Sequence, residues 1–133
     1  MTIYFAYGAN LNLEDMKLRC PAAQPVQSLY LRDWQLVFNS VATIVPRSGA
    51  GVAGALWQLT QECEDSLDYF EGYPDLYTKR YLEQDGVKFM VYVMNSSGQR
   101  PPSIGYYRTI KQDYCDWRLP VELLETAALE ASE

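Results

Sequence analysis

The sequence contains no histidine. That excludes Ser-His-Asp and Cys-His nucleophile activation, and with them most zinc sites and the facial-triad iron sites. The Walker pattern G-x-x-x-x-G-K-[ST] is missing as well. Positive charge is scarce, with 11 Lys and Arg against 17 Asp and Glu for a net charge of −6, which argues against nucleic acid or an anionic membrane as partner. Only three cysteines occur, Cys20, Cys63 and Cys115, odd in number, far apart and in no C-x-x-C pair. They read as free thiols of a reducing compartment. No basic segment precedes the first apolar run and no run approaches membrane-spanning length, so the expected location is cytoplasmic. If the chain is an enzyme, its proton-moving group must be a carboxylate, a tyrosine, a lysine or a cysteine.

What is present points to one globular domain over residues 1–133. Apolar residues make up 48% and charged residues 21%, enough for a proper core without staples. Eleven tyrosines are a heavy load and fit a sheet-rich fold with a partly wet, tyrosine-lined cavity. The stretch Tyr4-Phe5-Ala6-Tyr7-Gly8-Ala9-Asn10-Leu11 organises the rest. Residues 2–7 are apolar, aromatic and β-branched, a buried strand that stops at Gly8. Asn12 then caps a helix carrying Leu13, Met16 and Cys20 at helical spacing. A strand, a glycine turn and a helix start aim successive N–H groups into one concavity suited to a carboxylate or phosphate. The alternative is an ordinary turn whose glycine only supplies a positive φ.

Further along, residues 26–31 and 34–39 read as strands around an Arg32-Asp33 hairpin. Residues 41–45 continue the sheet before a mobile loop, 46–51. Residues 52–59 form a central strand whose interior Gly54 marks a bend, a bulge or close backbone approach. Thr60 caps a helix over 61–71 that Gly72 ends. After an aromatic loop, 73–77, strands 81–84 and 87–94 flank the hairpin pair Asp85-Gly86. A second loop, 95–102, leads to a helix over about 104–117 capped by Ser103. Pro120 opens a short last helix, with the tail after about residue 126 expected to fray. The order gives an α+β fold.

One acid stands out. Glu71 falls four residues after Leu67 and eight after Cys63, on the apolar side of its helix and at the end where negative charge is least welcome. A carboxylate so placed has a raised pKa, as a general base or acid near neutrality requires. A second reading lets Glu71 reach water from a frayed turn, or pair with Lys79 or Arg80.

Five segments in order, Tyr4 to Leu11, Gly54-Ala55-Leu56-Trp57, Leu67-Asp68-Tyr69-Phe70-Glu71-Gly72, Tyr77-Thr78-Lys79-Arg80 and Pro102-Ser103-Ile104-Gly105-Tyr106, resemble the γ-glutamylcyclotransferase-like family, which includes the AIG2-like proteins. The resemblance implies a small mixed β-barrel with flanking helices and an enzyme that releases 5-oxoproline from a γ-glutamyl amine, amino acid or peptide. It implies Glu71 as the acid/base, substrate binding at Tyr7, Gly8, Ala9, Asn10 and Leu11, and Tyr77 and Tyr106 on the cavity wall. The family's usual serine is Ala9 here. The only partner implied is a small γ-glutamyl substrate, with no cofactor, metal, nucleic acid or membrane and no signal for an oligomeric state. The chemistry suits a chain without histidine, because the substrate's own α-amine is the nucleophile. Two other readings stay open, a non-catalytic binding protein and a sibling amide-cleaving or acyl-transfer enzyme using the same glutamate.

Overall fold

The computed structural model describes residues 1–133. Strand β1 (Thr2–Ala6) runs into a 3₁₀ turn (Ala9–Leu11) and helix α1 (Leu13–Arg19). Then come β2 (Gln24–Asn39), β3 (Val41–Leu59), α2 (Gln61–Glu71), β4 (Tyr77–Gln84), β5 (Val87–Met94), α3 (Ile104–Asp116) and α4 (Val121–Ala131). The five strands form one sheet in the order β2-β3-β1-β5-β4. It is mixed, because β1 is antiparallel to β3 but parallel to β5, with Tyr4 opposite Met90. No helix is long and apolar enough to cross a membrane.

The α+β class agrees with expectation, and the expected small mixed β-barrel takes the form of a small curled sheet that backbone pairing does not close; the way the curl is held is informative. The edge strands β2 and β4 share no backbone ladder. The buried Gln84 side chain bridges them instead, accepting from the Arg32 N–H and donating to the Tyr30 carbonyl, both at 2.9 Å. A side-chain amide carries the same donor and acceptor as a peptide group, so it can stand in for one rung of sheet.

Arg32-Asp33 is not a hairpin. Strand β2 runs through it, with the register slipping between Arg32 and Trp34 while Asp33 takes φ 67°. Asp tolerates this left-handed conformation, so the signature of a bulge resembles that of a turn. The hairpin closes instead at Ser40, also at φ 67°, between the paired Asn39 and Val41. Residues 46–51 are likewise no loop: Pro46 pairs with Trp34 and Gly51 with Arg32 inside β3. Gly49-Ala50-Gly51-Val52-Ala53-Gly54 spells G-x-G-x-x-G, but within a strand and with no helix N-terminus behind it, so it builds no phosphate cradle.

Gly54 does mark close approach. A Cβ there would collide with the Ala6 carbonyl and the Phe5 ring. Strand β4 begins at Tyr77 rather than residue 81, pairing from Tyr77 against Met94. The tail does not fray: α4 continues to Ala131 because Leu124, Ala127 and Ala131 are buried along one stripe. Glu130 also accepts a 3.0 Å hydrogen bond from Gln35 on β2.

Candidate active site

The turn after β1 closes by two backbone bonds, Leu11 N–H to the Gly8 carbonyl at 3.0 Å and Asn12 N–H to the Ala9 carbonyl at 3.2 Å. The amides of Ala9 and Asn10 precede the first internal bond and are the turn's unclosed donors. Asn12 caps α1 by accepting from the Asp15 N–H at 2.8 Å. From the other side, α3 grips the turn: Asn12 Nδ2 donates to Asp113 Oδ1 at 3.0 Å and Trp117 Nε1 donates to the Leu11 carbonyl at 2.8 Å. Gly8 has φ −132°, so a positive φ is not why a glycine stands there. The reason is crowding. An added Cβ would sit 3.2 Å from Ala42 Cβ and 3.5 Å from Tyr106 Oη.

This turn forms one wall of a cavity of about 160 Å³, the volume of roughly five waters. Tyrosines dominate the lining, with Tyr4, Tyr7, Tyr77, Tyr92 and Tyr106 all contributing. Three of their hydroxyls donate to the protein: Tyr7 to the Tyr92 carbonyl at 2.7 Å, Tyr77 to the Ala42 carbonyl at 2.6 Å, and Tyr92 to Asp68 Oδ1 at 2.6 Å. The other two accept, Tyr106 from the Ala42 N–H and Tyr4 from Asn10 Nδ2, both at 3.0 Å. An accepting hydroxyl keeps its proton to give, so Tyr4 and Tyr106 are the tyrosine donors open to a ligand. Burial raises all five phenols, Tyr106 to about 12, so they are neutral near pH 7.

Glu71 is the one carboxylate in the lining. It is the last residue of α2, whose N-terminus is capped by Thr60 and whose end is set by Gly72 in the left-handed conformation, φ 66°. Asn10 Nδ2 donates to Glu71 Oε1 at 3.2 Å, while Oε2 makes no hydrogen bond within the protein. Burial raises its pKa to about 7, with Arg19 pulling the other way. The ion-pair alternatives are not realised. Lys79 binds Glu64 at 2.6 Å and Asp68 at 2.9 Å, and Arg80 lies over the Trp34 ring.

Of the residues singled out in the sequence, Tyr7, Gly8, Ala9, Asn10, Glu71, Tyr77 and Tyr106 come together at this cavity. Leu11 does not: its side chain is fully buried in the core. Sequence reasoning passed over Tyr4, Tyr92 and the Val41-Ala42 wall, and also Arg19, which donates to Asn10 Oδ1 at 2.8 Å. Tyr4 stands in the same motif as Tyr7 and was within reach of that reading. The others arrive by strand pairing and helix packing and carry no local signal. Through Val41 and Leu76 the cavity adjoins a larger polar recess of about 520 Å³, bordered by Ser40, Ser96, Gln99 and Arg100.

Residues 4–119 match the family model described as "Gamma-glutamyl cyclotransferase, AIG2-like". The chain is similar to a Homo sapiens protein named "Gamma-glutamylcyclotransferase", 29% identical over 141 residues that cover 92% of this chain and 75% of the relative. A Bos taurus protein of the same name is 30% identical over 138 residues, covering 90% and 73% respectively. A solved structure titled "Gamma-glutamyl cyclotransferase" superposes with a TM-score of 0.83 at 28% identity, covering 95% of this chain and 85% of that one.

Proposed function

Because the chain belongs to the gamma-glutamyl cyclotransferase, AIG2-like family, we propose that it releases 5-oxoproline from a γ-glutamyl amine, amino acid or peptide with Glu71 as acid/base. One observation carries the reading: a single carboxylate with its pKa raised to about 7 lines a tyrosine-walled cavity. At that pKa both protonation states are populated near neutrality, so one group can take a proton and return it.

The substrate α-carboxylate sits against the unclosed Ala9 and Asn10 amides. Its α-ammonium faces Glu71, which takes one proton. The freed amine attacks the γ-carbonyl carbon, forming the ring C–N bond as the carbonyl electron pair moves to oxygen. Tyr106 and Tyr4, whose hydroxyl protons are uncommitted, are the donors available to that oxygen. The pair then returns and the bond to the leaving nitrogen breaks as that nitrogen takes the proton from Glu71. The ring nitrogen's surplus proton leaves with the product amine or to water. The adjoining polar recess accommodates the leaving group.

Incubation with a panel of γ-glutamyl compounds, with 5-oxoproline measured by chromatography, tests the proposal. Release by the wild type and at least ~10²-fold slower release by Glu71→Gln is expected. Tight binding of γ-glutamyl compounds without 5-oxoproline from any of them would overturn it in favour of a binding protein.

A further inference from the structure

Arg19 ends α1 nine residues beyond Asn10, outside the cavity lining, yet reaches back to it. Its Nη1 donates to Asn10 Oδ1 at 2.8 Å. The guanidinium also lies over the Phe70 ring, 3.7 Å from the centroid, and Asp15 approaches it at 3.8 Å. Three neighbours therefore fix its place.

A guanidinium has only donors, so the Asn10 atom it meets must be the oxygen. The Asn10 NH₂ group is then turned the other way, toward Tyr4 Oη at 3.0 Å and Glu71 Oε1 at 3.2 Å. Turned end for end, the amide would present an oxygen to the carboxylate and an NH₂ to the guanidinium, two repulsive contacts. Without Arg19 one of those penalties vanishes, and the Tyr4 hydroxyl can donate to the turned amide.

We propose that Arg19 is a positioning residue: through Asn10 it keeps an N–H donor on the Glu71 carboxylate, the form that must accept the first proton. The inference rests on the reading of Glu71 as acid/base. The ionisable groups facing Glu71 from other elements are Arg19 and the tyrosines Tyr4, Tyr7, Tyr77, Tyr92 and Tyr106, all neutral near pH 7. On α2 itself, Asp68 is engaged by Lys79 and Tyr92. Arg19 is thus the cation that favours the anion against burial.

Two readouts on the full chain test this. One is the ¹³C NMR titration of the Glu71 carboxyl, identified by its absence from Glu71→Gln and needing no substrate. The other is the pH profile of kcat for 5-oxoproline release. In Arg19→Met both midpoints should move to higher pH. At pH 6 kcat should fall about tenfold or more, as a one-unit move requires, and at pH 9 it should stay within about threefold of wild type. Arg19→Lys, which keeps a donor and a charge, should lie between. Should Arg19→Met fail to fold, the neutral Arg19→Gln carries the same expected direction. A variant titration that superimposes on wild type overturns the inference whether or not a substrate is known, and so does a loss of kcat equal at every pH. Absence of 5-oxoproline from the wild type overturns the reading of the reaction, and the titration then decides this inference alone.

Discussion

Glu71→Gln should cut turnover sharply and stabilise the protein in the same stroke. Burial lifts this carboxyl from its usual 4.5 to about 7 in the folded chain. A raised pKa means that the folded state holds the proton more tightly than the unfolded chain does. The resulting stabilisation is fully present below about pH 4.5 and is lost as pH rises through about 7. At about 1.4 kcal/mol per unit, the ionised carboxylate costs the native state at most about 3 kcal/mol. Glutamine has no charge to desolvate, and its carbonyl can accept the same Asn10 N–H.

Urea denaturation at pH 5 and pH 8 reads the stability arm. The variant should match wild type within about 1 kcal/mol at pH 5 and exceed it by up to about 3 kcal/mol at pH 8. Kinetics read the other arm. Turnover of the best γ-glutamyl substrate should fall at least ~10²-fold, the scale of a positioned general base, while calorimetry still registers binding. The wild-type rate should rise with pH through about 7. Near-wild-type turnover by the variant would falsify the acid/base assignment. A variant no more stable than wild type at pH 8 would refute the argument from burial.

Gly8→Val should weaken γ-glutamyl binding by tenfold or more, because Ala42 and Tyr106 leave no room for its side chain. Ala9→Ser should stay within a few-fold; calorimetry in the Glu71→Gln background separates the two, and full-affinity binding by Gly8→Val removes the turn from the binding model. Gly54→Ala should cost about 2 kcal/mol or more, since its Cβ meets the Ala6 carbonyl and the Phe5 ring. Gly105→Ala, in the first turn of α3 with nothing within 4 Å of its Cβ, should be neutral or mildly stabilising; equal unfolding midpoints for the two variants contradict the packing argument. Exhaustive chelation should leave activity intact, because no histidine is present and Glu64 and Asp68 on α2 are already engaged by Lys79 and Tyr92. A loss restored by one particular metal ion counts against this.

Local signals were legible wherever local physics decides the outcome. Thr60, Ser103 and Asn12 cap helices by accepting from the third residue on. Asp85-Gly86 turns the β4–β5 hairpin with both residues at positive φ. The misreadings fall where pairing partners decide. A left-handed Asp33 serves a bulge in a long strand as readily as a two-residue turn, and only the ladder between β2 and β3 tells which. The last helix reads as shorter in the sequence because Ala127 and Ala131 look like weak apolar residues, yet both are buried in a helix that packs against β2 and α3.

The site divides along the same line. Glu71 was legible because helix periodicity fixes the side of α2 it occupies, whatever packs there. What makes it chemically useful was not legible, since it is assembled from residues distant in the chain. Asn10 reaches it across 61 positions, Tyr106 meets the Ala42 amide across 64, and Tyr77 meets the Ala42 carbonyl across 35. These links depend on β3, β1, β5 and β4 lying side by side in one curled sheet, with α2 and α3 bringing Glu71 and Tyr106 to the cavity wall. A carboxylate on the inner face of a helix is a sequence property, whereas a carboxylate with a pKa near 7 is a property of the fold. The two halves meet at Asn10, whose amide Arg19 orients from one helix while Glu71 presents its carboxylate from another. A change anywhere along that chain of contacts should therefore register first as a moved pH profile, before it registers as lost binding.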